Sequence, residues 1–323
     1  ARATIPRSRR PAGRLFFVSS TPPSTRQTPA HELGRGSAWM LLSLVGFTFM
    51  ALLVKHLGAA RGVSPWLALF FRAAVGMLVV AAIYLPMRRV DFRRATLAPK
   101  LAARGVLGAF GTAAYYLTLP ALGAGKASLI GNTWVVWSSI MAVFVLGEHL
   151  TPRKLLGILI AIAGIVLLMG LHGGDFTRLG RYELLAIAGA FVAAVVVVII
   201  RQLTLTESSG TIFASQCVYT LLLPLPFLIF QPLPSLHDTA LLTAAALCAA
   251  LGQLAMTEGF RYLPVSTGGA FQILLPLTIT VAGMAFLGEA FTSAQVSGGL
   301  LILFGCYQTV AAKAAPLPRV RTT

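Results

Sequence analysis

Long apolar stretches alternate with short polar gaps along almost the whole chain. Ten such runs are evident, at about 37–57, 65–84, 104–119, 127–146, 151–169, 182–200, 211–230, 239–260, 265–287 and 293–312. Most approach the ~20 residues that a helix needs to cross a hydrocarbon core. Helices are the natural reading, because an open sheet would leave backbone groups unpaired in lipid. Thr151-Pro152 supplies a cap and a first-turn proline for the fifth run. Gly105, Gly108, Gly111, Gly164, Gly298, Gly299 and Pro276 lie inside runs, where they permit close helix packing and local kinks. The predicted fold is an all-α membrane protein of ten transmembrane helices.

The pattern occurs twice. Leu146-Gly147-Glu148, Thr151, Gly157, Leu159 and Gly164 return as Leu287-Gly288-Glu289, Thr292, Gly298, Leu300 and Gly305, each 141 residues on. Gly111 and Gly252 share that spacing. One long constant offset marks a duplicated half rather than a solenoid of short repeats. Five helices per half is an odd number, so the second half enters the membrane inverted relative to the first. Many secondary transporters share that inverted-topology architecture.

Composition supports lipid as the main solvent. Apolar residues make up 57% of the 323-residue chain and charged residues 11%, too little charge to cover a soluble domain of this size. The net charge of +17 would suit nucleic acid, but the basic residues sit in the N-terminal tail and in the gaps, where they set orientation. With the N-terminus inside, the tail contributes seven and residues 85–104 six: Arg88, Arg89, Arg93, Arg94, Lys100 and Arg104. All inside positions hold twenty, against four outside: Arg61, Lys126, Arg178 and Arg181. Both ends are therefore expected in the cytoplasm. Residues 1–35, rich in Arg, Pro, Ser and Thr, read as a disordered basic tail. That composition also suits an organelle transit peptide, and the missing initial Met leaves a trimmed or over-extended start open. Residues 313–323 read as a second cytoplasmic tail. Cys217, Cys248 and Cys306 all lie in apolar runs without metal spacing, as packing residues do.

The Leu-Gly-Glu-x-x-Thr…Gly…Gly pattern closing each half resembles the EamA domain of the drug/metabolite transporter superfamily. So do Ser64-Pro65 followed by Arg72, and the stretch Ala121-Leu122-Gly123-Ala124-Gly125-Lys126-Ala127-Ser128. The resemblance covers two domains, 36–170 and 178–312. It implies a ten-helix carrier of the inner or plasma membrane. The first four helices of each half would line a central cavity, and the fifth and tenth would pack outside and mediate a homodimer. One departure stands out: the proline common in the middle of the family's fourth and ninth helices is present as Pro276, but Val135 takes its place in the first half. The two sides of the cavity should therefore differ in shape.

Charged groups within spans are functional candidates. Arg72 lies seven residues past Pro65, roughly 10 Å along a helix. It reads either as a carboxylate or phosphate site or as a tie between helices. Glu258, three residues before Arg261, reads as an ion pair or as a proton-coupling acid. His56 is a second coupling candidate. Lys55 reads as snorkelling to the interface. Glu148 and Glu289, with Gly157 and Gly298, are signature residues; the two carboxylates are expected to tie the turn to the next helix's N-terminus. Asn132, Gln272, Gln216, Tyr219 and Gln253 are polar groups inside runs, and Tyr115, Tyr116, Trp134 and Trp137 offer aromatic walls for an organic solute. Interhelical bonding or an interfacial belt is the competing role for each.

No P-loop, HExxH, GxSxG or EF-hand pattern occurs. The reading is accordingly not an enzyme, with no cofactor and no metal site. It is a secondary-active transporter of small organic solutes, amino acids, metabolites or drugs, most naturally an exporter working by alternating access. An importer of a nucleotide, nucleoside or S-adenosylmethionine-like compound is the alternative. A membrane scaffold or receptor without flux is the reading from another class.

Overall fold

The computed structural model describes residues 30–87, 89–146, 151–169, 180–263 and 265–311. Regular structure among the described residues is entirely helical. In chain order the helices are α1 (Ala30–Arg61), α2 (Pro65–Tyr84), α3 (Phe92–Leu97), α4 (Pro99–Leu122), α5 (Ala124–Gly131), α6 (Trp134–Leu146) and α7 (Pro152–Leu168). There follow α8 (Arg181–Leu203), α9 (Ser209–Leu222), α10 (Leu225–Leu228), α11 (Leu236–Tyr262), α12 (Val265–Gln272), α13 (Leu274–Leu287) and α14 (Ser293–Ala311). Residues 1–29, Glu148 and the 313–323 tail lie outside the described residues; residues 30–35, read from the sequence as the end of a disordered tail, form the first turns of α1.

Among the described residues, five helices are long and apolar enough to cross a membrane: Gly34–Arg61, Pro65–Tyr84, Pro99–Leu122, Arg181–Ile200 and Leu236–Tyr262. Their outer faces carry exposed leucines, valines and phenylalanines, such as Leu41, Val45 and Phe49 on α1 and Leu78 on α2. Apolar exposure on this scale is a liability in water and the normal state in lipid.

Caps set the helix starts. Ser64 is extended before Pro65, and the side chains of Thr151, Ser208 and Ser235 accept from Lys154, Thr211 and Asp238 amides. The third run begins five residues earlier than the apolar pattern indicates, because Pro99 opens α4. That start puts Arg104 inside the helix rather than in the preceding loop, and takes one residue from the inside tally. The seventh run ends early: α9 stops at Leu222 ahead of Pro224, whose ring disfavours helix in the residue before it.

The fourth and ninth runs are not continuous helices. α12 gives way to α13 at Ile273, one turn before Pro276, whose missing N–H leaves a carbonyl without its helical donor. α5 gives way to α6 at Asn132-Thr133 without any proline. There the Thr133 hydroxyl donates to the Ile130 carbonyl at 2.7 Å, competing with the helical ladder. The two breaks fall at matching places, so Val135 does not spare the first half its interruption.

α1 packs along α11, α4 along α8, α2 against α9 and α11, and α7 along α14. The α7–α14 seam is nearly backbone on backbone. A Cβ on Gly164 would lie 2.7 Å from the Gly298 carbonyl oxygen, and one on Gly305 would lie 2.6 Å from that of Gly157. Gly157 and Gly298 therefore serve this seam, as small residues do between membrane helices. It joins the two ends of the repeat within one chain.

Candidate functional site

α4 carries the wall of the central cavity. Arg104, Gly108, Thr112 and Tyr116 recur at intervals of four, which lays them along one helical face. Facing them are Arg72 from α2, Gln216 from α9 and Gln253 from α11. Phe47, Met50, Tyr115, Trp134, Val196, Val197 and Leu275 complete a lobe of about 210 Å³. A second lobe of about 170 Å³ shares Gly111, Tyr115, Trp134, Ala193 and Leu275 with the first and adds Thr118, Ser128, Asn132, Gln272 and Pro276. The lobes together reach the ~300 Å³ at which small-molecule sites begin. Both helix breaks open onto the second lobe, where unwound backbone is tolerated because it borders a cavity.

Arg72 is buried with its guanidinium 5.7 Å from the Tyr116 ring centroid, within cation–π range. Its Nη1 lies 3.4 Å from the Tyr116 hydroxyl and its Nη2 3.4 Å from Gln253 Oε1, both longer than a good hydrogen bond. Gln216 accepts from Arg104 Nη2 at 2.8 Å and donates to Thr112 at 2.8 Å. Gln272 donates to Ser43 at 3.3 Å. Asn132 Nδ2 and Gln253 Nε2 are buried without an acceptor among the described residues.

Arg72, Tyr115, Tyr116, Trp134, Gln216 and Gln253 thus come together in the first lobe, and Asn132 and Gln272 in the second. Two of the binding candidates, and both coupling candidates, line neither lobe. Tyr219 donates to the Thr96 carbonyl at 2.8 Å, tying α9 to α3. Trp137 packs edge-on against Phe191 at 5.9 Å. Glu258 pairs with Arg261 at 3.4 Å in a separate surface cleft with Arg35, Tyr84 and Arg89. His56 is on the exposed face of α1. Lys55 donates to the Pro120 carbonyl at 2.9 Å.

Glu289 acts elsewhere than the sequence suggests. It accepts from Ala124 N at 2.6 Å and Gly125 N at 3.0 Å, the first amides of α5 in the other half. The next helix, α14, is capped without it: Thr292 N donates to Gln295 Oε1 and Gln295 N to Thr292 Oγ1. Gly123, at φ +89°, turns the chain so that α5 points its amides at the carboxylate. The Ala124 amide is then lost to the Pro120 carbonyl, and Lys55 supplies the replacement. Glu148, the counterpart of Glu289, lies outside the described residues.

Arg104 and Thr112 escaped the sequence reading. The signal was present in the Arg-x₃-Gly-x₃-Thr-x₃-Tyr row, but only once Pro99 rather than Arg104 is taken as the helix start.

A mainly apolar cavity with a few buried polar groups, bordered by broken helices, calls for comparison with known proteins. The EamA-like transporter family model matches the chain twice, over residues 34–170 and 180–311. The chain belongs to the EamA-like transporter family. It is 27% identical to the pseudopaline exporter CntI of Pseudomonas aeruginosa, over 84% of this chain and 94% of that protein. It is 21% identical to the S-adenosylmethionine uptake transporter of Rickettsia prowazekii, over 83% and 90% of the two chains. A solved structure described only as the crystal structure of a protein superposes with a TM-score of 0.61 at 20% identity, covering 84% of this chain and 95% of the other. That likeness speaks to the fold alone. With its apolar helices, the family makes this a multi-pass membrane transporter.

Proposed function

We propose that this transporter exports small organic solutes, amino-acid-like metabolites or amphipathic compounds, by exposing the two-lobed cavity to each side of the membrane in turn. The carrying observation is the cavity itself: lined from both halves, and furnished with buried polar groups that lack partners among the described residues. The relatives include both an exporter and an uptake transporter, so the importer reading stands beside export until direction is measured.

The proposed architecture is ten crossings in two five-helix repeats of opposite orientation, with both ends cytoplasmic in the inner membrane. Several contacts support it. α1 pairs with α11 as α8 pairs with α4, exchanging the halves. Arg72 and Gln216 each stand eight residues after a serine cap, Ser64 and Ser208. Arg72 approaches Gln253, and Gln216 bonds Thr112, the residue 141 before Gln253. Such paired contacts are what a twofold relation between halves produces. The Glu289 clamp ties α13 to α5 and would hold the outer end of the cavity shut.

Glu258 and His56 stand apart from the cavity and gain no support from the geometry as proton-coupling groups. A homodimer through α7 and α14 would use their leucine-rich outer faces, since their glycine faces are already joined.

Flux from proteoliposomes of known orientation tests the proposal, with a thermal-shift screen of metabolites selecting the solutes. Counterflow from the cytoplasmic side supports export. Absence of flux above protein-free vesicles for every stabilising solute supports the scaffold or receptor reading instead.

A further inference from the structure

We propose that Arg104 and Arg72 together hold a cargo with two separated carboxylates, Arg104 being the second cation of the site. This deepens the transport reading of the same cavity and rests on it. Arg104 is 1% exposed. Its Nη2 is met by Gln216, but Nε and Nη1 have no acceptor among the described residues. A guanidinium stays charged in a protein, and a buried cation without a counter-charge is costly. Gly108 makes the room for it: a Cβ there would fall 2.1 Å from Nη1.

No acid of this chain answers either arginine among the described residues. Glu183 pairs with Lys126, Glu207 with Arg94, Asp238 with Arg61 and Glu258 with Arg261. Asp91 caps α3, and Glu289 caps α5. The further unmet amide in the same lobe, Gln253 Nε2, is also a donor. The missing complement is therefore rich in acceptors and negative.

Two guanidiniums, brought to one lobe from α2 and α4, select two anionic groups over one. Arg104 sits at one end of the four-residue row on α4, and Arg72 packs on Tyr116 at the other. Arg104 and Tyr116 are twelve residues, ~18 Å, apart along α4, and both guanidiniums reach the same lobe. A guanidinium pairs with a carboxylate in bidentate fashion. The lobe's 210 Å³ lies below the ~300 Å³ at which drug-sized sites begin, which favours a small acid over a larger solute.

The test is calorimetric titration of the purified full chain with succinate, glutarate and adipate, with glutaramide as the neutral isostere and glycerol 3-phosphate as the single-anion control. At least one dicarboxylate is expected to bind roughly tenfold or more tightly than glutaramide. Arg104→Gln should remove that margin, and Arg104→Lys should keep part of it. Wild-type ligand ranking decides the matter on its own where a variant does not fold. Equal binding of diacid and diamide, or none by either, overturns the two-cation site, while flux of a neutral solute would leave the transport reading standing. Tighter binding of glycerol 3-phosphate than of every dicarboxylate overturns the separated-anion form. Dicarboxylate binding without flux of any solute would retain the site and remove the transporter.

Discussion

Glu289→Ala should loosen one end of the cavity and leave the far lobe intact. The carboxylate accepts two amide hydrogen bonds, at 2.6 and 3.0 Å, from the first turn of α5. Hydrogen bonds to a charged acceptor contribute about 1.5–3 kcal/mol each. Taking the lower end for a half-buried group, the pair is worth about 3 kcal/mol, and the helix N-terminus favours the negative charge further. A contact made in only one access state would, on removal, shift the balance between states by roughly 100-fold. Glu289→Gln keeps one neutral acceptor and should lose about half. The assay is labelling of Ser128→Cys, a buried position in the second lobe, in a chain lacking the three native cysteines. An impermeant thiol reagent applied from outside should react at least tenfold faster in the Ala variant, whose melting temperature should also fall. Lower melting with unchanged labelling would reduce the clamp to a structural tie. Unchanged values for both would refute the argument altogether.

Arg72→Ala should abolish transport of an anionic cargo at undiminished membrane abundance, measured by flux and immunoblot; equal loss of both would mark a structural tie. Gly305→Ala places a methyl 2.6 Å from the Ala161 amide nitrogen and the Gly157 carbonyl oxygen, and should destabilise the α7–α14 seam by about 1–3 kcal/mol in thermal unfolding. Tyr219→Phe removes the bond to Thr96 and should cost about 1 kcal/mol of stability while leaving the KM for transport unchanged. Trp134→Ala strips a wall shared by both lobes and should raise KM roughly tenfold without changing the unfolding temperature by more than a few degrees.

Apolar periodicity and the 141-residue offset made the helical class and the duplication legible from the chain alone, because lipid demands long apolar helices and a duplicated half keeps its glycines and signature acids in register; the family was legible only as a resemblance, carried by the Leu-Gly-Glu-x-x-Thr pattern. Arg72, the glutamines and the tyrosines could be named for a related reason: polar groups stand out where hydrocarbon penalises them. Tertiary structure decided the rest. Arg104 lines the cavity and Tyr219 does not, because Pro99 starts α4 early and because Gly105 lets the Tyr219 ring pass against the helix. Glu289 proved to clamp α5 rather than α14, a contact across 165 residues of chain that local capping rules do not reach. Periodicity reports which face of a helix is apolar; which neighbour meets that face, and which buried donors remain unmet, depends on how the halves dock.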